Sequence, residues 1–304
     1  MKNRKKNFSL EKKRALWGRL FVYPWLIGFI VFLLVPFFQS LSYSFNAITV
    51  TRAGLKLDFV GWANFQKALT LDPTFIPTLL ATMKATASEV PLILFFSLFI
   101  AVLINQPFKG RTLVRSIFFL PVIITSGALL SIIGADIATN MGGGAAGGAS
   151  GGMPMLQAIN FENIFNSISL SPKLIKLLTG IIDSIYIIIW KSGVQIVIFL
   201  AGLQSISKSL YECASVEGAT AWESFWKITF PMISPIMLVN TVYTLIESFT
   251  DSSNGTLKYI LTVIYENVDY GFSAAMAWIY FLCILIALGI IVFFMSRKVF
   301  YVND

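Results

Sequence analysis

Hydrogen-bonding side chains recur along one face of an apolar segment that follows residue 231. Asn240, Tyr243, Thr244, Glu247 and Asp251 stand at positions i, i+3, i+4, i+7 and i+11, which places them in one stripe of an α-helix. Amide, hydroxyl and carboxylate groups of this kind can exchange hydrogen bonds with a polyhydroxylated solute. Because an ionisable group inside a bilayer is costly unless it is paired or hydrated, we expect the stripe to face other helices or a water-filled cavity.

Polar side chains in two other apolar segments are candidate partners for this stripe. Lys191 and Gln195 are one helical turn apart, and Glu89 lies in an earlier segment. One hypothesis is that these residues and the stripe together line a path for a solute. The alternative is that Glu89, Lys191 and Glu247 form structural pairs between helices, or that Lys191 extends towards the membrane surface. The sequence leaves both hypotheses open.

The composition indicates that these segments belong in a membrane. Of 304 residues, 56% are hydrophobic and 12% are charged, and the mean hydropathy is +0.76. The net charge of +8 does not indicate nucleic-acid binding, because the cations are grouped beside apolar runs. Histidine is absent, which removes the commonest general base and metal ligand. The two cysteines indicate neither a disulfide framework nor a metal cluster, so an enzyme is not expected.

The apolar runs predict an all-α membrane protein with six transmembrane helices. The predicted spans cover 20–45, 78–106, 116–138, 181–203, 231–251 and 270–296. The N-terminal basic run precedes an apolar run too long for a signal peptide, so a retained first span is expected. The predicted cytosolic segments are 1–19, 107–115, 204–230 and 297–304. The predicted external segments are 46–77, 139–180, which contains the glycine-rich run 141–152, and 252–269.

The distribution of basic residues supports this orientation. The predicted cytosolic segments contain fifteen Lys or Arg, and the predicted external segments contain six. Such an excess on one side is the usual sign of the cytosolic face. Both termini are therefore predicted to lie in the cytosol, as is the segment 204–230.

The segment 204–230 is amphipathic and carries a glycine between two candidate helices. The sequence predicts a short helix over 207–217, a break at Gly218, and a second helix that runs to Pro231. Trp222, Phe225 and Trp226 lie on the second helix, and they could simply place it at headgroup depth. The alternative is a surface that another protein grips.

The spacing within this segment resembles a known motif. Glu212-Cys213-Ala214, Gly218, Ile228 and Phe230-Pro231 match the pattern Glu-Ala-Ala, three residues, Gly, nine residues, Ile, one residue, Leu-Pro. That pattern defines the EAA loop of permease subunits of bacterial binding-protein-dependent ABC importers, which this segment resembles. Cys213 replaces alanine and Phe230 replaces leucine. The run FVGWANF at 59–65 and the basic turn at 107–115 are similar to the sugar-transporting class of these permeases.

The resemblance implies a type I ABC importer permease fold and a role in coupling transport to ATP hydrolysis. It assigns contact with a cytosolic ATPase to Glu212, Cys213, Ala214, Gly218, Ala219, Ile228 and Pro231. The implied partners are a second permease subunit, usually a different chain, two cytoplasmic ATPase subunits, an external solute-binding protein and the lipid of the bacterial cytoplasmic membrane. No cofactor is expected in this chain. It lacks a P-loop, so ATP and Mg²⁺ would be bound by the ATPase.

The expected substrate is a carbohydrate, and two alternatives remain. One is an ABC permease for another polar solute such as glycerol phosphate, which would suit a cavity of similar composition. The other is a stand-alone secondary transporter, which would need ion-coupling residues or inverted repeats, and no convincing repeat is present.

Overall fold

The computed structural model describes residues 10–51, 54–106, 191–251 and 253–300, together with a few isolated positions between 110 and 189. The predicted basic turn 107–115, the third span 116–138, the external segment 139–180 and the first part of the fourth span lie largely outside the described residues. The chain divides into two compact units. One comprises Met1–Pro77 and Tyr259–Leu282, and the other comprises Thr78–Lys258 and Cys283–Asp304.

The first unit opens with a long helical segment that a single π-turn interrupts. Helix α1 covers Leu10–Phe29, the π-turn covers Ile30–Leu34 and α2 covers Val35–Ser44. The stretch Leu20–Ser44 is long and apolar enough to cross a membrane. The helix begins at Leu10, within the segment that was predicted as a cytosolic N-terminus. Its apolar side chains are exposed in the isolated chain, as lipid-facing residues are.

The segment 46–77, predicted as a loop, contains regular structure. Strands β1 (Asn46–Thr51) and β2 (Gly54–Phe59) form an antiparallel hairpin, and helix α3 (Ala63–Gln66) and a π-turn (Lys67–Leu71) follow it. The all-α prediction holds for the helical bulk of the chain but missed this hairpin. The signal was available: both strands alternate apolar and polar residues, and β1 is rich in β-branched side chains.

The run FVGWANF makes a turn that ties the hairpin to the end of α2. Gly61 adopts φ +59°, which favours glycine, and Asn64 follows in a buried position. The Asn64 side-chain amide donates hydrogen bonds to the carbonyl oxygens of Ser44 and Asn46, both at 3.0 Å. A Cβ at Gly271 would collide with the Asn46 carbonyl oxygen, so that position accepts only glycine without a shift.

Asp72 closes the first unit where the next helix begins. Its carboxylate accepts hydrogen bonds from the amides of Thr74 and Phe75 at 2.8 Å, and from the Tyr259 hydroxyl at 2.8 Å. Burial acts to raise the pKa of Asp72, but these hydrogen bonds outweigh it and hold the pKa below its ordinary value. This cap lets the helix begin at Phe75, before the predicted start at residue 78.

The second unit is built on three helices. Helix α4 covers Phe75–Asn105, α5 covers Gly193–Ser205 and, after two short elements described below, α8 covers Phe230–Thr250. Their apolar contact is made by Leu98, Ala101, Ile104, Ile196, Phe199, Leu200, Leu203, Ile206 and Ile233. A Cβ at Gly202 would lie 2.8 Å from a side-chain carbon of Ile236, so α5 and α8 approach closely here, as small residues permit in membranes.

The remaining helices are α9 (Gly255–Tyr265) and α10 (Tyr270–Ser296). The predicted sixth span coincides with α10, whereas the external segment 252–269 was predicted without the helix α9. Within the described ranges, four helical stretches are long and apolar enough to cross a membrane, or five when the bent pair Gly193–Ser205 and Lys208–Val216 counts as one. The count of six spans therefore stays a prediction.

Each π-turn in the described part of the chain stands at the same place relative to a proline. Ile30–Leu34, Lys67–Leu71 and Phe225–Thr229 are each followed by one residue and then by Pro36, Pro73 or Pro231. In each case the residue before the proline donates its amide to the carbonyl five residues back. Where the helix continues through the proline, at Pro36 and Pro231, the wider turn relieves the clash between the proline ring and the carbonyl four residues back; at Pro73 the helix has already ended, because Asp72 is extended.

The π-turn before Pro231 shows that one predicted helix end was wrong. The helix after Gly218 was expected to end at Pro231, where the fifth span would begin separately. Instead α7 (Ala221–Ser224), the π-turn and α8 follow one another without a break from Ala221 to Thr250.

Candidate functional site

The segment 207–231, here called the elbow, has the predicted form of a helix, a break and a second helix. Helix α6 covers Lys208–Val216, with Ser207 and Glu217 as its flanking caps. Gly218 follows with φ +79°, and the Ala219 amide donates to the Ala214 carbonyl at 2.9 Å. This is the usual glycine termination of an α-helix. The predicted helix over 207–217 and the break at Gly218 are confirmed.

A capping box starts the second half of the elbow. The Thr220 hydroxyl accepts from the Glu223 amide at 3.3 Å, and the Glu223 carboxylate accepts from the Thr220 amide at 2.9 Å. The new helix direction is therefore fixed within two residues of Gly218. Local sequence alone sets this geometry.

The face of the elbow that carries the motif is open. Glu212, Cys213 and Gly218 are exposed, and Val216 keeps 90% of its surface accessible. Ala214, Ala219, Ile228 and Pro231 are half-buried. An exposed valine beside an exposed acidic residue on a short amphipathic helix is an unpartnered surface in the isolated chain.

The two halves of the elbow are tied by a hydrogen bond, and the elbow packs on the core of the second unit through Tyr211, Phe225 and Phe230. The Tyr211 hydroxyl lies 2.9 Å from the Thr229 hydroxyl, which joins α6 to the π-turn. A cleft of about 830 Å³ separates α6 from the ends of α4 and α5, with Asn105, Gln106 and Leu203 among its walls. Helix α6 therefore stands away from the spans rather than packing flat against them.

Aromatic side chains run along the second half of the elbow. The ring centroids of Trp222 and Trp226 are 5.6 Å apart, and those of Trp226 and Phe230 are 5.1 Å apart. Trp222 is 70% exposed. Phe230, one of the two departures from the motif, thus extends an aromatic row suited to a membrane interface. The interfacial hypothesis and the coupling hypothesis concern different faces and are compatible.

The polar residues predicted inside the spans converge in the second unit. The Lys191 ammonium lies 2.9 Å from a carboxylate oxygen of Glu89 and 2.8 Å from one of Asp251. One turn along, the Gln195 amide donates to the Glu247 carboxylate at 2.7 Å. We call these five residues and Asn240 the polar cluster. The polar cluster joins three parts of the second unit: α4, the segment of Lys191 and α5, and α8 with the residue that follows it.

Two members of the polar cluster keep unused acceptors. The Asn240 amide nitrogen donates to the Gln195 main-chain carbonyl at 3.0 Å, and both side chains are fully buried. Within the described ranges, Gln195 Oε1 and Asn240 Oδ1 have no hydrogen-bond partner. A buried acceptor without a donor is costly, so these two oxygens are the part of the cluster with unused hydrogen-bonding capacity.

Two residues of the predicted stripe stand apart from the polar cluster. The Thr244 hydroxyl donates to the Asn240 carbonyl of its own helix at 2.8 Å, so its hydrogen bond stays within α8. Tyr243 is 37% exposed and turns towards the outside of the described unit. The proposed pairing of Glu89 with Lys191 is present, but Glu247 pairs with Gln195, while Asp251 completes the ion pair.

Sequence reasoning missed a row of hydroxyl groups that joins α4 to the end of α8 and the start of α9. Thr86 lies 3.2 Å from Ser248, and the Thr256 hydroxyl donates to Thr82 at 2.8 Å. Thr82 and Thr86 are one turn apart, which was the available signal. Single hydroxyls in apolar helices were too weak a sign on their own.

Comparison with known proteins places the chain among transport permeases. No protein-family model matches the chain. It is 30% identical to the probable ABC transporter permease protein YesP of Bacillus subtilis, over 98% of this chain and 94% of the relative. It is also 30% identical to the multiple sugar-binding transport system permease protein MsmF of Streptococcus mutans, over 88% of this chain and 91% of the relative. The sn-glycerol-3-phosphate transport system permease protein UgpA of Rhizobium meliloti is 28% identical over 93% of this chain.

A solved structure supports the fold. A chain of a bacterial ABC transporter involved in the import of the acidic polysaccharide alginate matches with a TM-score of 0.64, 21% identity, and coverage of 94% of this chain and 97% of that chain. A chain of a bacterial alginate ABC transporter in complex with an alginate pentasaccharide-bound periplasmic protein matches with the same TM-score of 0.64, at 20% identity. The chain is therefore a membrane-embedded transporter subunit, not an enzyme, and it belongs to the family of ABC importer permeases whose named members include those of sugar transport systems.

Proposed function

We propose that this chain forms part of the translocation path for a carbohydrate and transmits the force of ATP hydrolysis to that path. It acts beside a second permease subunit, with two cytoplasmic ATPase subunits and an external solute-binding protein that delivers the sugar. The observation that carries the proposal is continuity: one helical stretch runs from Ala221 in the elbow to Thr250 beside the polar cluster. A displacement of the elbow therefore moves Asn240 and Glu247.

The coupling role rests on the exposed motif. Glu212, Cys213 and Val216 offer an unpartnered face on α6, and Gly218 allows the sharp change of direction that separates this face from the span. Tyr211, Phe225 and Phe230 keep the elbow packed against the apolar core of its unit, while the cleft beside α6 and the exposed motif face leave a partner room to hold α6. The ATPase is that partner in the proposed mechanism, and ATP and Mg²⁺ belong to it.

The pathway role rests on the polar cluster. Gln195 and Asn240 carry acceptor oxygens that have no partner and are fully buried here, so they would meet the hydroxyl groups of a sugar once the helices separate, and Glu247 adds a half-buried carboxylate beside them. Importers that receive solute from a separate binding protein need only weak contacts along the path, so a few hydrogen bonds suffice. Glu89, Lys191 and Asp251 hold the helices that carry these groups.

Glycerol phosphate is the second candidate substrate, because UgpA proteins are among the relatives. The polar cluster argues against it. Among the described residues, the cluster holds three carboxylates and one ammonium: Lys191 pairs with Glu89 and Asp251, and Glu247 bonds to Gln195. A phosphate monoester would meet an excess of like charge there, whereas a neutral sugar would not.

The orientation follows from the distribution of basic residues. We place both termini and the elbow in the cytosol and the protein in the bacterial cytoplasmic membrane. The proposal also includes six transmembrane helices and pairing with a different permease chain.

Purification of the chain with its partners, followed by uptake in proteoliposomes, tests the proposal. We expect an ATPase subunit to co-purify, and uptake of a neutral sugar to require ATP and the binding protein. A chain that transports solute alone, driven by an ion gradient, would establish a secondary transporter instead. Uptake of glycerol phosphate but not sugars would reverse the order of the two substrates.

A further inference from the structure

The external hairpin separates apolar and polar side chains onto opposite faces. In the register of β1 and β2, Val50 faces Leu55, Ile48 faces Leu57 and Asn46 faces Phe59. Because side chains alternate along a strand, these pairs share one face, and the Thr49–Lys56 and Ala47–Asp58 pairs share the other. One face is thus almost entirely hydrophobic. We call it the apolar face of the hairpin.

The apolar face is largely uncovered within its own unit. Val50 is 62% exposed, Leu57 is 44% exposed and Phe59 is 79% exposed, whereas Ile48 is buried. On the opposite face, Lys56 and Asp58 form an exposed ion pair at 3.0 Å. An ion pair on one side and bare aliphatic and aromatic groups on the other indicate a hairpin that lies between water and an apolar medium.

The base of the hairpin is fixed to the end of the first span. The Val60 amide donates to the Phe45 carbonyl at 3.0 Å, and the Asn46 side chain donates to the Ser42 carbonyl at 2.6 Å. The stretch Leu20–Ser44 that ends here is apolar and, in its most apolar window, has no buried residue. The apolar face therefore continues directly from an apolar span whose most apolar window is uncovered in the isolated chain.

Aromatic side chains mark this junction as a membrane boundary. The rings of Phe45, Trp62 and Phe65 form a cluster with centroid separations of 5.1–5.3 Å. Trp62 is 71% exposed. Tryptophan and its aromatic neighbours concentrate at headgroup depth, where an amphipathic ring meets both water and acyl chains.

We propose that the apolar face of the hairpin rests in the outer leaflet of the bilayer, at the boundary between headgroups and acyl chains, with the Lys56–Asp58 face towards water. The partner is lipid. This role is separate from coupling and from the solute path, and it gives the first span a second attachment to the membrane at the site where Asn64 and Gly271 pack against the hairpin.

Depth-dependent fluorescence quenching in the assembled transporter tests the proposal. The background carries Cys213→Ala and Cys283→Ser, and single cysteines are introduced as Val50→Cys and Leu57→Cys on the apolar face. The matched controls are Thr49→Cys and Lys56→Cys, which are their neighbours on the opposite face. Each is labelled with an environment-sensitive fluorophore in nanodiscs that contain lipid with a nitroxide near the headgroup end of the acyl chain.

We expect nitroxide lipid to quench the labels at residues 50 and 57 several-fold more than those at 49 and 56. Equal and weak quenching on both faces would overturn the proposal. The labels at residues 50 and 57 could instead report an apolar environment without being quenched by nitroxide lipid, or report one only after the solute-binding protein is added. Either result would assign the apolar face to a protein partner and would also overturn the proposal. A variant that does not run as the assembled transporter is replaced by Leu55→Cys, which lies on the same face.

Discussion

The elbow and the polar cluster are held together by different kinds of contact. In the elbow, the glycine turn and the capping box join residues that are a few positions apart, such as Thr220 and Glu223. In the polar cluster, Lys191 meets Glu89 across 102 positions and Gln195 meets Glu247 across 52. The elbow is therefore a local structure that remains exposed, whereas the cluster depends on the packing of three helical segments. A change in one should affect force transmission, and a change in the other should affect the stability of the bundle.

The largest effect should come from Lys191→Met. The substitution leaves the carboxylates of Glu89 and Asp251 close together and without their cation, and loss of one partner from a buried ion pair costs about 3–5 kcal/mol. We expect a lower midpoint of thermal unfolding of the detergent-solubilised transporter and poor assembly. The matched control is Lys84→Met, because Lys84 is exposed on the same helix as Glu89.

Neutralising the partners separates charge from packing. The triple variant Glu89→Gln, Lys191→Met, Asp251→Asn should recover much of the lost stability, because no charge remains unpaired. If it is as unstable as Lys191→Met alone, the ion pairs are not what holds this part of the bundle.

The second effect should come from Gly218→Pro, which tests the elbow. Proline fixes φ near −65°, whereas Gly218 has φ +79°, and its amide donates to the Ser215 carbonyl at 3.1 Å. We expect the spans to remain inserted and the ATPase to remain active, with ATP-driven uptake lost. Gly218→Ala should have a smaller effect, because a left-handed alanine costs only about 1–2 kcal/mol. Normal coupled uptake by the proline variant would contradict the proposed role of the elbow.

The third effect should come from Asn240→Ala, which tests the pathway. The substitution removes a donor to the Gln195 carbonyl and an unused acceptor, and we expect a loss of about 2 kcal/mol of stability. If the pathway hypothesis holds, the rate or the substrate range of uptake changes as well. Thr241→Ala is the matched control, since its buried hydroxyl donates to the Met237 carbonyl of its own helix. Unchanged uptake in Asn240→Ala, Tyr243→Ala and Glu247→Ala would leave the polar cluster a structural feature only.

The smallest effect should come from Thr220→Ala. This removes the side-chain half of the capping box and should cost the elbow helix about 1 kcal/mol. Hydrogen exchange of the α7 amides should accelerate while the spans are unaffected. Ser207→Ala is the matched control, because the Ser207 hydroxyl contacts Ser209 and does not cap α6. Equal acceleration in both variants would show that the capping box does not hold the elbow.

The same difference explains what the sequence could predict. Gly218 acts on its neighbours in the chain, so it was enough to predict the end of the first helix. The capping box of Thr220 and Glu223 is equally local but was not predicted. The end of the helix at Pro231 was predicted wrongly because proline usually stops a helix, whereas here the π-turn at Phe225–Thr229 absorbs the clash. That turn precedes Pro36, Pro73 and Pro231 but not Pro24, Pro91 or Pro235, which lie inside helices without one, and nothing in its residue types marks it.

Long-range contacts were only partly accessible from the sequence. Helical spacing placed Asn240 and Glu247 on one face, yet it could not show that Asp251 rather than Glu247 would share Lys191. The external hairpin was missed because strands are not expected in a helical membrane protein, although residues 54–59 alternate apolar and polar side chains. Its register with β1, and the close approach of Gly271 to Asn46, depend on tertiary packing.

The position of Cys213 allows the most direct measurement of the coupling role. Cys213 is exposed on α6, and Cys283→Ser leaves it as the single thiol of the chain. We expect a membrane-impermeant maleimide to label Cys213 in inverted vesicles but not in intact cells or right-side-out vesicles, and a thiol crosslinker to join it to the ATPase subunit with a yield that changes on addition of ATP. Labelling of Cys213 from the external side, or crosslinks that never include an ATPase subunit, would contradict the proposal that the elbow receives the force of ATP hydrolysis.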